Sequence, residues 1–343
     1  MENSKILSVS IAAYNVAKTL DQALMPFLDE NVAPYVDVMI VDDGSKDDTV
    51  KVAEKYTAKL PDTFRIISKK NGGWGSTVNS GIAAAKGKYF KQLDGDDYFS
   101  LENLADFVAF LQKTDADMIH SPFVQFEDGS NAVISEIGGY GGGYANFILN
   151  ETLRLDECGE YIPAMHCLTV KTDILRRNSI TILEHCFYTD IEYMLKAYNY
   201  CDTICFYKKP VYYYRLARDG QSMSITGVRK HYKDHIRVLK EMLAFSDKHV
   251  TDAYKKENID RRLLEACAFQ YVFFFALPCT GENKKELKEY DSFLKKEYPV
   301  IYRKIDGRQI SVLRKTNFIG YKLLAKQKMA KDKRLKRNFY EGR

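Results

Sequence analysis

Several things are scarce in this chain, and each absence narrows what the protein can be. No apolar run reaches the roughly 18 residues that a membrane-crossing helix needs. The nearest, Ala266 to Cys279, is shorter, contains Gln270 and reads as a buried helix. The N-terminus, Met1-Glu2-Asn3-Ser4-Lys5, leads straight into a strand-like run, so no secretory leader is expected. The seven cysteines (158, 167, 186, 201, 205, 267, 279) form no C-x-x-C pair and are odd in number. They read as buried thiols of a reducing compartment, not a disulfide frame or zinc site. His231 and His235 are four apart on one helix face, but no acidic partner follows them, so they read as packed or solvated. The glycine fingerprint of a dinucleotide fold is missing from the first turn, Ala12-Ala13-Tyr14-Asn15, and there is no G-x-x-x-x-G-K-[ST] loop.

What is present suits a folded protein of two domains. The 343 residues are 45% hydrophobic and 13% aromatic, enough for a sizeable core. The net charge of +5 is unevenly placed. From Arg314 to Arg343 eleven Lys/Arg stand against two acids, a net +9, and the other 313 residues sum to about −4.

Four short apolar runs alternate with three helical patterns before residue 95. Ile6–Ala13, Val36–Val41, Phe64–Ser68 and Lys88–Leu93 read as buried parallel strands. Ala17–Leu28, Thr49–Leu60 (capped by Asp47 or Asp48) and Ser76–Ala85 (ending at Gly87) read as helices. This is the βαβ pattern of an open, mostly parallel α/β sheet with right-handed crossovers. Ligands of such sheets sit beyond the C-terminal strand ends. Three of the four ends carry polar clusters that should converge: Tyr14-Asn15, Asp42-Asp43, and Asp94 to Asp97. The last set, Leu93-Asp94-Gly95-Asp96-Asp97, puts three carboxylates within four positions. Crowded acids raise one another's pKa and call for positive charge. A Mg²⁺ or Mn²⁺ ion carrying a diphosphate would supply it, since both ions favour carboxylate and phosphate oxygens. An acidic turn or helix cap is the blander reading.

The runs VSIAAYNVAKTL, VDDGSKDDT and NGGWGSTVNSGIAAAKGKYFKQLDGDDYF together resemble the family 2 glycosyltransferases, closely over residues 5–125 and loosely to about 225. The resemblance implies an inverting enzyme with a GT-A fold that uses a nucleotide sugar. It implies that Ala13 and Tyr14 line the base pocket, that Asp42 accepts from the uracil imide and that Asp43 supports the loop. The loop from Asn71 to Gly75, with Gly72 and Gly73, would lie against the nucleotide, Asp94 would face the ribose, Asp96 would bind the metal and Asp97 would orient that shell. Many relatives have Ala-Arg-Asn where this chain has Thr77-Val78-Asn79, so a phosphate contact there loses its basic side chain. The family's acidic pair opening a later helix becomes Thr189-Asp190, which makes Asp190 the expected catalytic base, with Glu192 in reserve. Arg215, Arg218 and Ser222 are candidates for the diphosphate or the acceptor. The Q-x-x-R-W signature of processive synthases is absent, which favours transfer of a single sugar.

The expected organisation is a GT-A domain over 1–226, with a nucleotide-sugar half (1–125) and an acceptor half (126–226), then a helical region over 227–343. Gly138–Gly143 reads as a loop. Ile162–Val170 reads as strand and Lys171–Arg177 as helix. Val228–His249, Asp252–Leu277 and Lys284–Glu297 read as helices, with Phe273-Phe274-Phe275 as core or a homodimer interface. The basic stretch Phe318–Leu335 suits either an anionic membrane face or a solvated tail. No nucleic-acid module accompanies it. The implied function is transfer of one sugar from a UDP-sugar to a hydroxyl of a glycan, glycoprotein or lipid-linked acceptor, in the cytoplasm or at the inner membrane face, in bacterial cell-surface polysaccharide or glycoprotein synthesis. A nucleotidyltransferase and a non-catalytic scaffold are the alternatives. The first lacks its glycine- and arginine-containing loop, and the acid cluster argues against the second.

Overall fold

The first strand, β1 (Leu7–Ala13), shows why this chain builds a layered sheet. Leu7, Val9, Ile11 and Ala13 are fully buried, and so are Ser8 and Ser10 on the opposite face. A strand covered on both faces belongs at the centre of an α/β sheet. Its serines are small enough for close helix packing, and Ser8 keeps its hydroxyl satisfied by donating to Asp37 at 2.6 Å.

The computed structural model describes residues 5–138, 149–216, 224–305 and 307–335. The chain divides into two compact units, Met1–Leu216 and Ala217–Arg343. In the first unit β1 is followed by α1 (Leu20–Leu24), β2 (Val36–Asp42), α2 (Thr49–Lys59), β3 (Phe64–Ser68), α3 (Trp74–Ala84), β4 (Tyr89–Asp94) and β5 (Tyr98–Phe99). Next come α4 (Leu104–Lys113), β6 (Met118–His120), β7 (Phe123–Glu127), β8 (Val133–Ile137), β9 (Thr152–Arg154), β10 (Leu168–Lys171), α5 (Thr172–Arg177), α6 (Asp190–Tyr200), β11 (Thr203–Phe206) and β12 (Tyr212–Leu216).

Eight strands form the main sheet in the order β3-β2-β1-β4-β10-β6-β11-β9, and β5-β12-β7-β8 form a second sheet. The first four strands run parallel, while β10 pairs antiparallel with both β4 and β6. The expected open, mostly parallel sheet is therefore present. The chain runs outward from β1 through β2 to β3 and then returns to the other flank of β1 as β4. Strand order thus switches between β1 and β4, where such sheets bind ligands.

Some local expectations change. The helix expected over 17–28 keeps its α form only at Leu20–Leu24 and tightens to a 3₁₀ turn over Met25–Leu28. Pro26 has no N–H to continue the α ladder. Gly87 does not end a helix in the left-handed conformation; α3 stops at Ala84. Instead a Cβ on Gly87 would lie 2.4 Å from the Ser8 amide nitrogen, so glycine lets the chain enter β4 against β1. Asp48 sits at the cap position of α2 without a side-chain bond, and Asp47 accepts from the Thr49 amide at 3.0 Å. The strand expected from 162 is confined to Leu168–Lys171 and is preceded by a 3₁₀ turn, Met165–Cys167. Of the glycine-rich loop at 138–143, only Gly138 lies among the described residues.

The second unit is helical: α7 (Ile225–His249), α8 (Ala253–Ala276), α9 (Gly281–Glu297), α10 (Pro299–Lys304), α11 (Arg308–Lys315) and α12 (Tyr321–Leu335). Ser224, Asp252 and Thr280 cap the three long helices through side-chain oxygens. The phenylalanines at 273–275 are core, each no more than 3% exposed. A part-buried Arg314–Asp291 pair at 2.8 Å, braced by Tyr271, ties α11 to α8 and α9. No described helix is long and apolar enough to cross a membrane. The seven cysteines are unpaired; six are buried, but Cys279 is exposed, unlike the expectation for it.

Candidate active site

The strand register brings the polar tips together. Ala13 pairs with Asp42, and Ala12 with Asp94. The Asp43 amide donates to the Ala13 carbonyl at 2.8 Å, and the Gly95 amide donates to that of Ala12 at 3.0 Å. Three chain segments therefore end side by side at one edge of the sheet. Tyr14 stands there about half exposed, and Asn15 follows in the left-handed region, bracing the next loop through Ser45 and Lys46. Asp42 is buried, and one of its oxygens accepts from the Ser45 amide at 3.0 Å.

Asp43 organises the glycine-rich loop. Its carboxylate accepts from the Gly72 and Gly73 amides at 2.8 Å each and from Lys69 Nζ at 2.9 Å. Asn71 donates to its carbonyl. A buried carboxylate holding two consecutive amides and an ammonium is strongly anchored. Gly73 needs its glycine, with φ +80. So does Gly75, where a Cβ would sit 2.1 Å from the Leu183 carbonyl oxygen. The loop therefore lies directly against residues 182–186. Asn79 clamps the same segment, accepting from Ile182 N–H at 2.8 Å and donating to Ile182 C=O at 2.9 Å.

The acidic turn follows β4. Trp74 Nε1 donates to Asp94 Oδ1 at 2.6 Å. Asp97 is almost fully buried, accepting from the Tyr212 hydroxyl at 2.6 Å and the Arg215 amide at 2.8 Å. Arg215 is likewise buried. Its guanidinium donates to the Asp96 carbonyl (2.7 Å), Asp128 (2.7 Å) and Gln22, and it lies over the Phe126 ring. In this arrangement it braces the acidic turn from behind. Ser222 and Arg218 lie outside the described residues.

Burial, then the Asp96 charge, then that of Asp190 push the Asp94 carboxyl up to about 7, against the pull of Trp74. Burial and the charges of Asp96 and Asp94 hold Asp97 well above the usual carboxylate range. Asp190 thus acts on the same site from the first turn of α6, where Thr189 is the cap residue. Trp74 touches Tyr193 of this helix edge-on, with centroids 6.4 Å apart. Glu192 does not share this role. It is 1% exposed, paired with Lys196 at 2.6 Å, and accepts from the Leu183 amide.

Among the described residues, Asp94, Asp97 and His166 form a group whose ligand atoms lie within 4.8 Å of one another. Hard carboxylate oxygens with one imidazole nitrogen, and acids raised by uncompensated negative charge, fit a divalent ion such as Mn²⁺ or Mg²⁺. Asp96, partly exposed, lies between the two acids and acts on both. Burial and then Lys91 hold the His166 imidazole down to about 3.

Asn79, Tyr212 and His166 were missed in the sequence, and Trp74 was placed only as part of the Asn71–Gly75 loop, without its bond to Asp94. Trp74 carried a signal, being the chain's single tryptophan, set in the glycine loop. His166 carried none, because only the antiparallel pairing of β10 brings its neighbourhood to β4.

Residues 8–166 match the model of Glycosyl transferase family 2. An uncharacterized glycosyltransferase of Mycoplasma pneumoniae is 32% identical over 116 residues, 33% of this chain and 39% of that protein. The chain thus spans about two fifths of that relative's length. The structure of S. aureus TarS residues 1–349 in complex with UDP-GlcNAc resembles it with a TM-score of 0.55 at 20% identity, over 94% of this chain and 92% of that one. The mannosyltransferase PcManGT of Pyrobaculum calidifontis, in complex with GDP-Man and Mn²⁺, does so with a TM-score of 0.51 at 15% identity, over 95% and 87%. These structural likenesses are to GT-A folds, and the match to glycosyl transferase family 2 lies in residues 8–166.

Proposed function

We propose that this protein transfers a single sugar from a UDP-sugar to a hydroxyl of a glycan or glycoconjugate, with inversion at the anomeric carbon. The observation that carries the reading is the electrostatic meeting of Asp94, Asp96 and Asp190 at the switch point of the sheet. Carboxylates from β4 and from the start of a distant helix share one crevice, bounded by a glycine loop fixed on Asp43. The family 2 match over residues 8–166 and the UDP-GlcNAc carried by the TarS structure support a UDP-sugar as donor.

Each residue then has a role. Asp42, Ala13 and Tyr14 receive the base. Asn71, Gly72 and Gly73, held by Asp43, line the nucleotide. Asp94 faces the ribose side, fixed by Trp74. Asp96 would hold a metal together with its neighbours Asp94 and Asp97, and Asp97, pinned by Tyr212 and the Arg215 amide, orients that turn. A divalent ion bound there neutralises charge on the leaving diphosphate. Asp190 takes the acceptor hydroxyl proton as that oxygen attacks from the face opposite the diphosphate. Its place in the first turn of α6 favours the ionised form.

The test is a pair of variants assayed for sugar transfer and for UDP binding. Asp190→Asn should lower turnover by at least about 100-fold and leave UDP–metal affinity within about threefold, since the base touches only the acceptor. Asp96→Ala should lose both. Near-normal turnover in Asp190→Asn would exclude it as the base.

The basic stretch with Ile319 and Leu323 exposed supports contact with an anionic membrane surface, which suits a lipid-linked acceptor.

A further inference from the structure

We propose that His166 supplies a nitrogen ligand to the divalent ion at the end of β4 and sets the site's preference for manganese over magnesium. The inference rests on the reading of the crevice as a metal–UDP site.

Three histidines of this chain pack among aromatic rings; His120 and His235 are buried and behave as core histidines do, whereas His166 is half-buried. His120 meets the Tyr161 hydroxyl at 2.5 Å, and His235 meets Gln270 at 2.6 Å. Packed imidazoles normally find such partners. His166 has none: among the described residues neither ring nitrogen makes a hydrogen bond, and its atoms accept only through the backbone carbonyl, from Lys91. Yet a ring nitrogen lies within 4.8 Å of carboxylate oxygens of both Asp94 and Asp97.

The ring is also fixed in place. It stacks on Phe123 with centroids 4.7 Å apart, tilts against Tyr214 at 4.6 Å and meets the Tyr212 ring edge-on at 4.9 Å. Tyr212 donates through its hydroxyl to Asp97 at 2.6 Å. One tyrosine therefore positions both the imidazole and a carboxylate of the group. Lys91, three residues before Asp94 on β4, holds the His166 carbonyl at 2.9 Å and thereby the 3₁₀ turn that presents the ring. An imidazole so held, with a nitrogen facing two acids, has the form of a preset ligand. A nitrogen donor matters for selectivity, because Mg²⁺ favours an all-oxygen shell and transition ions accept imidazole.

The full chain is loaded with Mn²⁺ and UDP, and electron spin-echo spectroscopy reads nitrogen coupling to the ion. The expected result is a histidine nitrogen signal that changes on ¹⁵N-histidine labelling. It should vanish in His166→Gln and persist in His185→Gln, the histidine whose amide donates to Gly72. In His166→Gln, Mn²⁺ affinity with UDP present should fall at least about tenfold, Mg²⁺ affinity much less, and far-UV circular dichroism should be unchanged. A Mn²⁺–UDP complex without histidine nitrogen coupling in the parent protein would overturn the inference and leave the proposed function standing. So would a signal that survives in His166→Gln. If the parent binds neither Mn²⁺ nor UDP, the metal–UDP reading fails and this inference fails with it. The labelled parent spectrum decides the matter even where a variant folds poorly.

Discussion

Asp94→Asn should make the unliganded protein more stable in neutral and alkaline solution while disabling it. The carboxyl titrates near 7 in the folded protein instead of near 3.8, because burial and its acidic neighbours oppose the charge. Below pH 3.8 the group is protonated whether the chain is folded or not, and it costs nothing. Between 3.8 and 7 the folded protein keeps a proton that the unfolded chain has released, so stability falls as pH rises. Above 7 the whole penalty is present. Its full value is on the order of 4 kcal/mol, and about half of that is a fair figure for a carboxylate that keeps partial exposure. The asparagine retains an oxygen for Trp74 and removes the charge. It should gain about 2 kcal/mol at pH 8 and less than about 1 kcal/mol at pH 5. Urea titration at the two pH values measures this, and the fluorescence of Trp74, the single tryptophan, bonded to Asp94, reports the site itself. Adding Mn²⁺ and UDP should stabilise the parent and not the variant. Equal effects at both pH values, or a loss at pH 8, would refute the electrostatic reasoning.

Two further outcomes follow from the loop geometry. Asp43→Asn should weaken UDP binding and destabilise the first unit by about 2 kcal/mol, measured by calorimetry and by urea titration, because it breaks the charge-assisted bonds to Gly72, Gly73 and Lys69. Gly75→Ala should cost about 1–3 kcal/mol and reduce transfer, since its methyl would displace the Leu183 backbone on the segment leading to Asp190; unchanged melting and turnover would show that this contact is slack.

The sheet and the acidic turn could be read from the sequence because their causes are local. Val38 to Val41 is apolar without a break, a pattern that suits a strand covered on both faces. Asp94 to Asp97 stands where a strand must end. The role of Asp43 at the glycine loop was legible only by resemblance, and its bonds to two amides are what the fold adds. Other features depend on contacts far along the chain. His166 reaches the acidic turn through strand pairing that no local period records. Val78 stands where many relatives carry a basic residue, and nothing in the sequence marks its neighbour Asn79, which in the fold holds Ile182 by both backbone groups. Arg215 reads as a substrate-binding cation until burial and its acceptors are known. The break in the first helix was available locally, in Pro26, and the apolar spacing around it concealed the consequence.

The most direct measurement is calorimetric titration of UDP into the full chain with Mn²⁺ and again with EDTA, in the parent and in Asp96→Ala. Binding that requires the metal and disappears in Asp96→Ala is the expected result. Binding that is indifferent to EDTA, or that survives intact in Asp96→Ala, would contradict a metal–diphosphate site at the end of β4.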